Sequence, residues 1–323
     1  MNLSTRFRRV SAALLTFVLL LATPALAAQS AKSVSAPAAR ELEIRTYRNI
    51  PYHARFLTTG GSGEDVTFEI VQEPKHGTVE IDGAEFVYTP EKDRCGSDRF
   101  TYLCRDGEGN SSAEAEVTVT VSRVKSGVAY SDTQGSGAEA AAQYLAEAGI
   151  FTGTCLAGEY FFEPERTVTR AEFLAMTMEM TGRDVTSVTM TGFSDDGAIP
   201  TWAKAYAAAG VADGIIQGKN TAEGAAFQGD QAITFNEAAT VLDRVLDLGD
   251  VELDVWYADR EAVPSWAAQA VGNMEAVNVL SAGSFGSQTM EQAVTRADAA
   301  QMLSAAKTLL DGEKPGGMFG WLG

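Results

Sequence analysis

Histidine and cysteine are scarce in this chain, and their scarcity argues against several kinds of chemistry. Only His53 and His76 occur among 323 residues, so most histidine-based catalysis and metal binding is nearly excluded. Cys95, Cys104 and Cys155 are too few for a disulfide scaffold and form no Cys-x-x-Cys pair for zinc or redox work. The hydrolase motifs His-Glu-x-x-His and Gly-x-Ser-x-Gly are also missing. We therefore expect no enzymatic activity and no cofactor.

Basic residues are outnumbered by acidic ones. The chain has 25 Lys plus Arg against 43 Asp plus Glu, a formal net charge of -18. This charge repels nucleic acid and anionic membranes, so neither is an expected partner. The hydrophobic share of 45% is that of an ordinary folded chain. A chain of this length is expected to form two or three domains.

Long apolar runs are also missing, apart from a short one near the N-terminus. Three arginines precede the run Ala12 to Ala22, and the small-residue sequence Ala25-Leu26-Ala27 follows it. This order predicts a secretory signal peptide at residues 1–27, with an uncleaved N-terminal anchor as the alternative. The run is too short to span a bilayer, which takes about 20 residues. An Ala/Ser-rich linker is predicted at residues 28–42.

Short alternating segments separated by Gly, Pro, Asn or Asp come next. This pattern is typical of an antiparallel β-sandwich, which we predict at residues 43–122. Asp82-Gly83 predicts a two-residue hairpin turn inside it. A strand between Cys95 and Cys104 would keep these cysteines apart, so we expect free thiols. The predicted strands are Leu42 to Tyr47, Tyr52 to Leu57, Val66 to Val71, Thr78 to Ile81, Glu85 to Tyr88, Arg99 to Cys104 and Ala113 to Val121.

Four motifs lie in this region, at Pro74 to Val79, Phe86 to Pro90, Gly96 to Tyr102 and Asp106 to Asn110. Together they resemble the bacterial Ig-like and cadherin-like repeats of surface proteins. The resemblance implies a spacer or an adhesive module. The side chains of the fourth motif could offer oxygen ligands to calcium, but an acidic Gly-rich turn between two strands is the interpretation we favour.

One helical unit occurs three times after Val128. We place copy 1 at residues 129–190, copy 2 at 191–253 and copy 3 at 254–311, followed by a flexible tail at 312–323. Each copy opens with an aromatic residue, a small residue and an aspartate. Each continues with a helix that ends near a Gly or Asn cap, and with a second helix introduced by threonine. The aspartates are Asp132, Asp195 and Asp259, and the threonines are Thr169, Thr234 and Thr295.

The starts of these second helices carry a family resemblance. Thr169-Arg170-Ala171-Glu172 and Thr295-Arg296-Ala297-Asp298, with the pair Ile150-Phe151, the Phe162-x-Pro164 loop and the threefold recurrence, resemble the S-layer homology family. The resemblance implies an all-α, pseudo-threefold bundle of three helix-loop-helix repeats behind the sandwich. It also implies a partner, an acidic and pyruvylated polysaccharide of the cell wall.

Arg170 and Arg296 are the first candidates for contact with that glycan. The Thr-x-x-Glu spacing is explained by helix capping alone, but capping requires no cation, and the helix dipole mildly disfavours one there. A guanidinium group can bind a carboxylate through two parallel donors. A salt bridge to an aspartate of a neighbouring copy is the alternative. Copy 2 has Phe235 at this position, which puts one of the three grooves in doubt.

Trp202 and Trp266 occupy equivalent places on the first helices of copies 2 and 3, where copy 1 has Gly137. A tryptophan ring can fill a core or support a sugar, and the core is the commoner role. Lys204 is a candidate second cation for the glycan. Asp132, Asp195 and Asp259 could accept hydrogen bonds from sugar hydroxyls or could serve as turn and cap residues.

These observations predict an exported, non-enzymatic protein of the cell wall or surface layer. The three copies would hold it non-covalently to the wall polysaccharide while it displays the Ig-like module. An adhesin whose Ig-like module binds a protein is the first alternative. A wall hydrolase is the second, because a glycosidase needs only two suitably spaced carboxylates. A helical scaffold for protein partners is a further alternative.

Overall fold

The longer strands and the α-helices occupy separate parts of the chain. The computed structural model describes residues 36–60, 66–253, 263–280 and 288–312. Within these residues nine strands precede position 123 and six α-helices follow it. The predicted signal peptide, Asp259 and all but the first residue of the predicted tail lie outside the described residues.

We call the nine strands the β module. The alternation of hydrophobic and polar residues predicted the positions of most of them. All seven predicted segments overlap strands, although the second strand predicted, Tyr52 to Leu57, already ends at Arg55. The first strand and the start of the second lie inside the predicted linker, which is therefore too long at its C-terminal end. The strands are β1 Ala38–Ala39, β2 Leu42–Tyr47, β3 Tyr52–Arg55, β4 Thr58–Thr59, β5 Thr67–Gln72, β6 Gly77–Asp82, β7 Glu85–Pro90, β8 Gly96–Arg105 and β9 Ala115–Ser122.

Two sheets face each other in the β module, as predicted, but they are not wholly antiparallel. One sheet has the order β2-β9-β8-β5 and the other the order β3-β7-β6. β2 pairs with β9 in parallel, from Leu42 opposite Val117 to Tyr47 opposite Ser122. The prediction of a purely antiparallel sandwich was wrong here because β2 and β9 are far apart in sequence, so no short hairpin dictates their direction.

Aromatic side chains fill the space between the sheets. The ring of Phe56 lies 4.5 Å from that of Phe86 and 4.3 Å from that of Tyr102. The predicted hairpin turn is present but shifted by one residue. Asp82 pairs with Glu85, so Gly83-Ala84 forms the loop, and Gly83 adopts the positive φ of 60°.

The six helices form the helical region together with two small hairpins, so the prediction of an all-α bundle was wrong in this detail. The helices are α1 Glu139–Glu147, α2 Arg170–Thr181, α3 Thr201–Ala212, α4 Phe235–Leu246, α5 Ala268–Ala276 and α6 Arg296–Gly312. The hairpins are β10 Thr154–Leu156 with β11 Glu159–Phe161, and β12 Lys219–Thr221 with β13 Gly224–Ala226.

The predicted capping boxes at α2 and α4 are confirmed. The side chains of Thr169 and Thr234 accept hydrogen bonds from the backbone of the glutamates at the third helical position, and those glutamates return the bond. α6 has the same arrangement with a shorter acid. Asp298 N donates to the hydroxyl of Thr295 at 3.2 Å, and Thr295 N donates to the carboxylate of Asp298 at 2.9 Å.

A closed ring of backbone hydrogen bonds connects the segments that lead into these three helices. Val168 N donates to the carbonyl of Val294 at 2.9 Å, Val294 N to that of Ile233 at 2.8 Å, and Ile233 N to that of Val168 at 3.0 Å. All three side chains are buried. The starts of α2, α4 and α6 therefore meet around one centre, each joined to both of the others.

The β module and the helical region belong to one compact unit. Tyr47 and Ile50 of the β module form a buried cluster with Ala140 of α1. The Arg40 side chain donates to the carbonyl of Ala276, the last residue of α5, at 3.0 Å, where a cation also complements the helix dipole. In the connection between them, the carboxylate of Glu147 accepts backbone hydrogen bonds from Lys125 and Ser126.

Candidate functional site

Arg170 reaches from copy 1 into copy 2. As the first residue of α2, it donates through Nε to the carbonyl of Phe227 at 3.0 Å, and its Nη1 lies 3.0 Å from Oε2 of Glu237. Its side chain is only 11% exposed. The ion-pair alternative is therefore present, although the partner is a glutamate rather than an aspartate.

A groove of about 700 Å³ contains this pair. Its walls combine Arg170 from copy 1 with the loop after α3 and one face of α4 from copy 2, and with Trp266 from copy 3. Three of its side chains are cationic. Its lining residues include Arg170, Gly218, Lys219, Glu237, Thr240, Arg244, Trp266 and Glu291.

Glu237 organises the cations of the groove. Its Oε1 lies 2.8 Å from Nζ of Lys219, and its Oε2 binds Arg170. Burial alone would raise the pKa of Glu237, but the hydrogen bond from Lys219 and the charge of Arg170 outweigh burial and lower it. Glu237 is therefore an anion at neutral pH. Glu237 thus supplies one negative charge to two cations, so Arg170, Lys219 and Glu237 together carry a net positive charge.

Two of the three cations in the groove, Lys219 and Arg244, were not predicted from the sequence. Lys219 follows the cap glycine Gly218, and its side chain is 45% exposed. Arg244 lies in the last turn of α4, is exposed, and donates through Nη1 to the carbonyl of Ile215 at 3.0 Å. Neither position is basic in copy 1, where Thr154 and Glu179 are the equivalents, so a search for recurring residues could not find them.

Arg296 makes the equivalent connection from copy 3 back to copy 1. Its Nη1 donates to the carbonyl of Phe162 and to Oε2 of Glu163, both at 2.9 Å, and its guanidinium lies 5.0 Å from the centre of the Phe151 ring. The side chain is only 7% exposed. Burial lowers the pKa of Arg296, assisted by the charge of Arg166. These contacts satisfy the guanidinium within the protein.

The surroundings of Arg296 are more acidic than those of Arg170. Arg166 lies 2.8 Å from Glu172 and 3.8 Å from Glu163. The position of Arg244 is taken by Glu179, which accepts a hydrogen bond from the hydroxyl of Tyr206 at 2.7 Å. An anionic ligand would therefore meet more positive charge in the groove of copy 2.

Trp202 and Trp266 both lie on the surface, so the core alternative was wrong for both. Their side chains are 51% and 58% exposed. Trp266 lines the groove. Large aromatic rings left in water are available to a ligand, because an apolar face gains free energy when it is covered.

Lys204 does not line this groove. Its Nζ lies 2.6 Å from Oδ2 of Asp196, and it donates to the carbonyl of Thr189 at 3.3 Å. The hydrogen bond from Lys204 lowers the pKa of Asp196 to about 2, with further bonds from Thr191 acting in the same direction. Lys204 therefore has a partner within copy 2, and the geometry favours an internal ion pair over the predicted role in ligand binding.

Asp132 and Asp195 hold the loops that face the two arginines. Asp195 accepts from Phe227 N at 2.8 Å and from Gln228 N at 2.7 Å. Asp132 does the same for the two equivalent amides of copy 1, at 2.9 and 2.7 Å. These bonds favour the turn interpretation. Each aspartate orients the carbonyl group that its neighbouring arginine binds, so both are positioning residues.

The acidic turn of the β module is internally bonded. Asp106 Oδ1 accepts from the backbone of Glu108 at 3.1 Å and of Asn110 at 2.8 Å, as an Asx turn does. Among the residues that the structure describes, no group of three or more His, Cys, Asp or Glu side chains could hold a metal ion. Cys95, Cys104 and Cys155 are all free thiols.

Comparison with known families gives two domain matches. Residues 34–121 match the bacterial Ig domain, and residues 129–174, within copy 1, match the S-layer homology domain. S-layer homology domains generally bind cell-wall polysaccharide, and this one indicates association with the cell surface or cell wall. No curated protein sequence matches the chain. None of the described helices is both long enough and apolar enough to cross a membrane.

Similar solved structures share only part of this chain. A putative α-galactosidase from Bacteroides fragilis is 12% identical over 27% of this chain and 18% of its own, with a TM-score of 0.23. A SusE-like surface-located polysaccharide binding protein from Bacteroides thetaiotaomicron is 14% identical over 28% and 15%, with a TM-score of 0.21. Fibronectin(III)-like modules of Clostridium thermocellum CbhA are 16% identical over 26% and 92%, with a TM-score of 0.17. At these TM-scores the similarity carries no argument about function.

Proposed function

We propose that this chain is an exported surface protein that binds an acidic, pyruvylated polysaccharide of the cell wall through three S-layer homology repeats, and that it displays the Ig-like module. In this proposal the chain binds and does not catalyse. The observation that carries it is the groove of copy 2, where Arg170, Lys219 and Arg244 lie together with the exposed ring of Trp266.

The groove suits a sugar that bears a carboxylate. Lys219 and Arg244 are exposed cations that can donate to the carboxylate, and the ring of Trp266 can lie against the apolar face of a pyranose. The net charge of -18 does not oppose this binding strongly, because at physiological salt charges are screened beyond about 8 Å. The local excess of cations therefore decides the sign of the interaction, and binding should be moderately sensitive to salt.

The three copies are not equivalent in this proposal. The groove of copy 2 has the arginine and the tryptophan, together with two further cations. The Arg296 site of copy 1 has its arginine bound by Glu163 and lies among carboxylates. The site of copy 3 has no equivalent arginine, because copy 2 carries Phe235 at the position of Arg170 and Arg296. We therefore assign the principal anion site to the groove of copy 2.

The test is co-sedimentation of the chain with cell-wall sacculi, before and after chemical removal of the attached polysaccharide. We expect binding that disappears on removal. Lys219→Ala combined with Arg244→Ala should weaken binding at least tenfold, about 1.4 kcal/mol. The matched control is Arg183→Ala, which removes an exposed cation that pairs with Asp213 outside the groove.

Two results would overturn the proposal. Sedimentation that persists on stripped sacculi would show that the polysaccharide is not the partner. Equal loss of binding in the Arg183→Ala control would show that overall charge, rather than the groove, determines binding.

A further inference from the structure

A second cavity, of about 210 Å³, lies between the β module and the helical region. Strands β2 and β3 form one side of it. The start of α1, the end of α5 and one face of α6 form the other. Exposed Glu43 and Arg45 of β2 line its rim, and small or apolar residues, including Ala140, Ala305 and Leu309, line its wall.

This cavity occupies the place in copy 3 that the groove occupies in copy 2. When copies 2 and 3 are aligned on Thr234 and Thr295, Thr240 and Arg244 of the groove correspond to Gln301 and Ala305. Both of these residues line the cavity. The correspondence extends to copy 1, whose Gly137 also lines the cavity.

Trp266 of the groove corresponds to Gly137, which also lines the cavity. A Cβ atom added to Gly137 would lie 3.7 Å from Cβ of His53 and 3.7 Å from Nε2 of Gln301. A side chain at this position would therefore be in van der Waals contact with the β module, whereas Trp266 is 58% exposed. The equivalent groove of copy 3 therefore lacks both binding residues. Gly137 stands in place of the tryptophan, where the β module covers the groove, and buried Phe235 stands in place of the arginine.

The β module contributes new cations to the covered groove. Arg40, Arg45 and Arg55 line the cavity, against the two carboxylates of Glu41 and Glu43. Arg45 makes no hydrogen bond or ion pair with another residue that the structure describes, and it is exposed. A guanidinium at the rim of a largely apolar cavity favours a molecule that has a negative end and an apolar body.

We propose that this cavity binds a small amphipathic carboxylate, with its carboxylate at Arg45 and its apolar body against Ala140, Ala305 and Leu309. An apolar cavity of roughly 150 Å³ can hold a benzene-sized molecule, so the volume here suits a ligand of that size with a carboxylate attached. Ligand sites often lie at domain interfaces of this kind. The site is independent of polysaccharide binding, because it shares no residue with the groove of copy 2.

The probe is benzoate, titrated into the full chain while backbone amide shifts are followed by NMR. We expect saturable shifts around Gly137 and Asn278 with a Kd of about 1 mM or below. Benzyl alcohol, which has a similar shape but no charge, should bind at least tenfold more weakly. Arg45→Gln should weaken benzoate binding about tenfold, and Lys219→Ala, in the groove of copy 2, should leave it unchanged.

Filling the cavity supplies a second line of evidence. Ala305→Leu should abolish benzoate binding, and Ser304→Leu, at the preceding position of the same helix, should do the same if the first variant does not fold. The proposal is wrong if benzoate and benzyl alcohol bind equally, if a folded cavity-filling variant still binds benzoate, or if the shifts map to the groove of copy 2 and vanish in Lys219→Ala.

Discussion

The guanidinium of Arg170 lies 3.0 Å from the carboxylate of Glu237, the residue that also closes the capping box of α4. One glutamate thus fixes the start of its own helix and binds a cation from the preceding copy. Arg296 and Glu163 make the corresponding connection between copies 3 and 1. The arginines that the sequence singles out therefore join the copies, and only Arg170 also lines a described groove.

Arg296→Ala should lower the free energy of unfolding by about 2 kcal/mol and leave sacculus binding nearly unchanged. The reason is that the buried guanidinium satisfies the carbonyl of Phe162 and pairs with Glu163. Urea unfolding followed by circular dichroism measures the first effect. Arg166→Ala, an exposed neighbour, should cost less than about 1 kcal/mol. A tenfold loss of sacculus binding in folded Arg296→Ala would contradict this assignment.

Trp266→Ala should weaken sacculus binding about tenfold while changing the stability by less than about 0.5 kcal/mol, because an exposed ring that makes no core contribution is removed. Trp202→Ala is the matched control, since its ring is similarly exposed but belongs to α3, the helix whose Tyr206 contacts the acidic Glu179 of copy 1. We expect a smaller loss of binding there. Equal losses in both variants would indicate that copies 1 and 2 contribute alike.

Asp195→Ala should destabilise the helical region by about 2 to 3 kcal/mol. The change removes two charge-assisted hydrogen bonds and leaves the amides of Phe227 and Gln228 unpaired. Thermal unfolding measures this effect, and Asp213→Ala, an exposed acid with one ion pair, is the control. A change in polysaccharide affinity without a change in stability would instead support direct contact with the sugar.

The pH dependence of stability should contain a contribution from Glu275. Burial raises the pKa of this carboxyl group from 4.5 to about 7, and the charge of Arg55 acts in the opposite direction. Because the folded pKa exceeds the ordinary value, the contribution to stability is complete below pH 4.5 and is lost as the pH rises through about 7. Arg40 donates to the carbonyl of the adjacent Ala276.

Glu275→Gln should reduce the difference in unfolding free energy between pH 5 and pH 8 by an amount on the order of 3 kcal/mol. Urea titrations at the two pH values measure this difference. Glu252→Gln, at an exposed position, should leave it unchanged. An unaltered pH profile in Glu275→Gln would show that its carboxyl group titrates normally.

Local signals in the sequence predicted the local structure well. β2 has the predicted bounds, and the boxes at Thr169 and Thr234 formed as predicted, because alternation and capping depend on residues close in sequence. The parallel pairing of β2 with β9 could not be predicted in this way. It depends on which edge of a sheet is free after the intervening strands have paired.

The site was only partly predictable, for reasons of geometry. Lys204 was proposed because it follows Trp202 by two residues, but residues at that spacing do not share a helix face. Lys219 comes from a hairpin and Arg244 from the end of α4, and only the fold brings them beside Arg170. Trp202 and Trp266 lie in water against the usual preference of tryptophan, which composition alone cannot indicate.

The ring of backbone hydrogen bonds among Val168, Ile233 and Val294 makes the helical region sensitive to truncation of the chain. Each of the three segments donates one bond and accepts one, so removal of any copy would leave one amide and one carbonyl unpaired in the buried centre. A protease that trims the chain back past α6 should thus collapse the remaining helices at once rather than release a smaller stable fragment. Wall attachment would then be lost in a single step and could not be adjusted repeat by repeat.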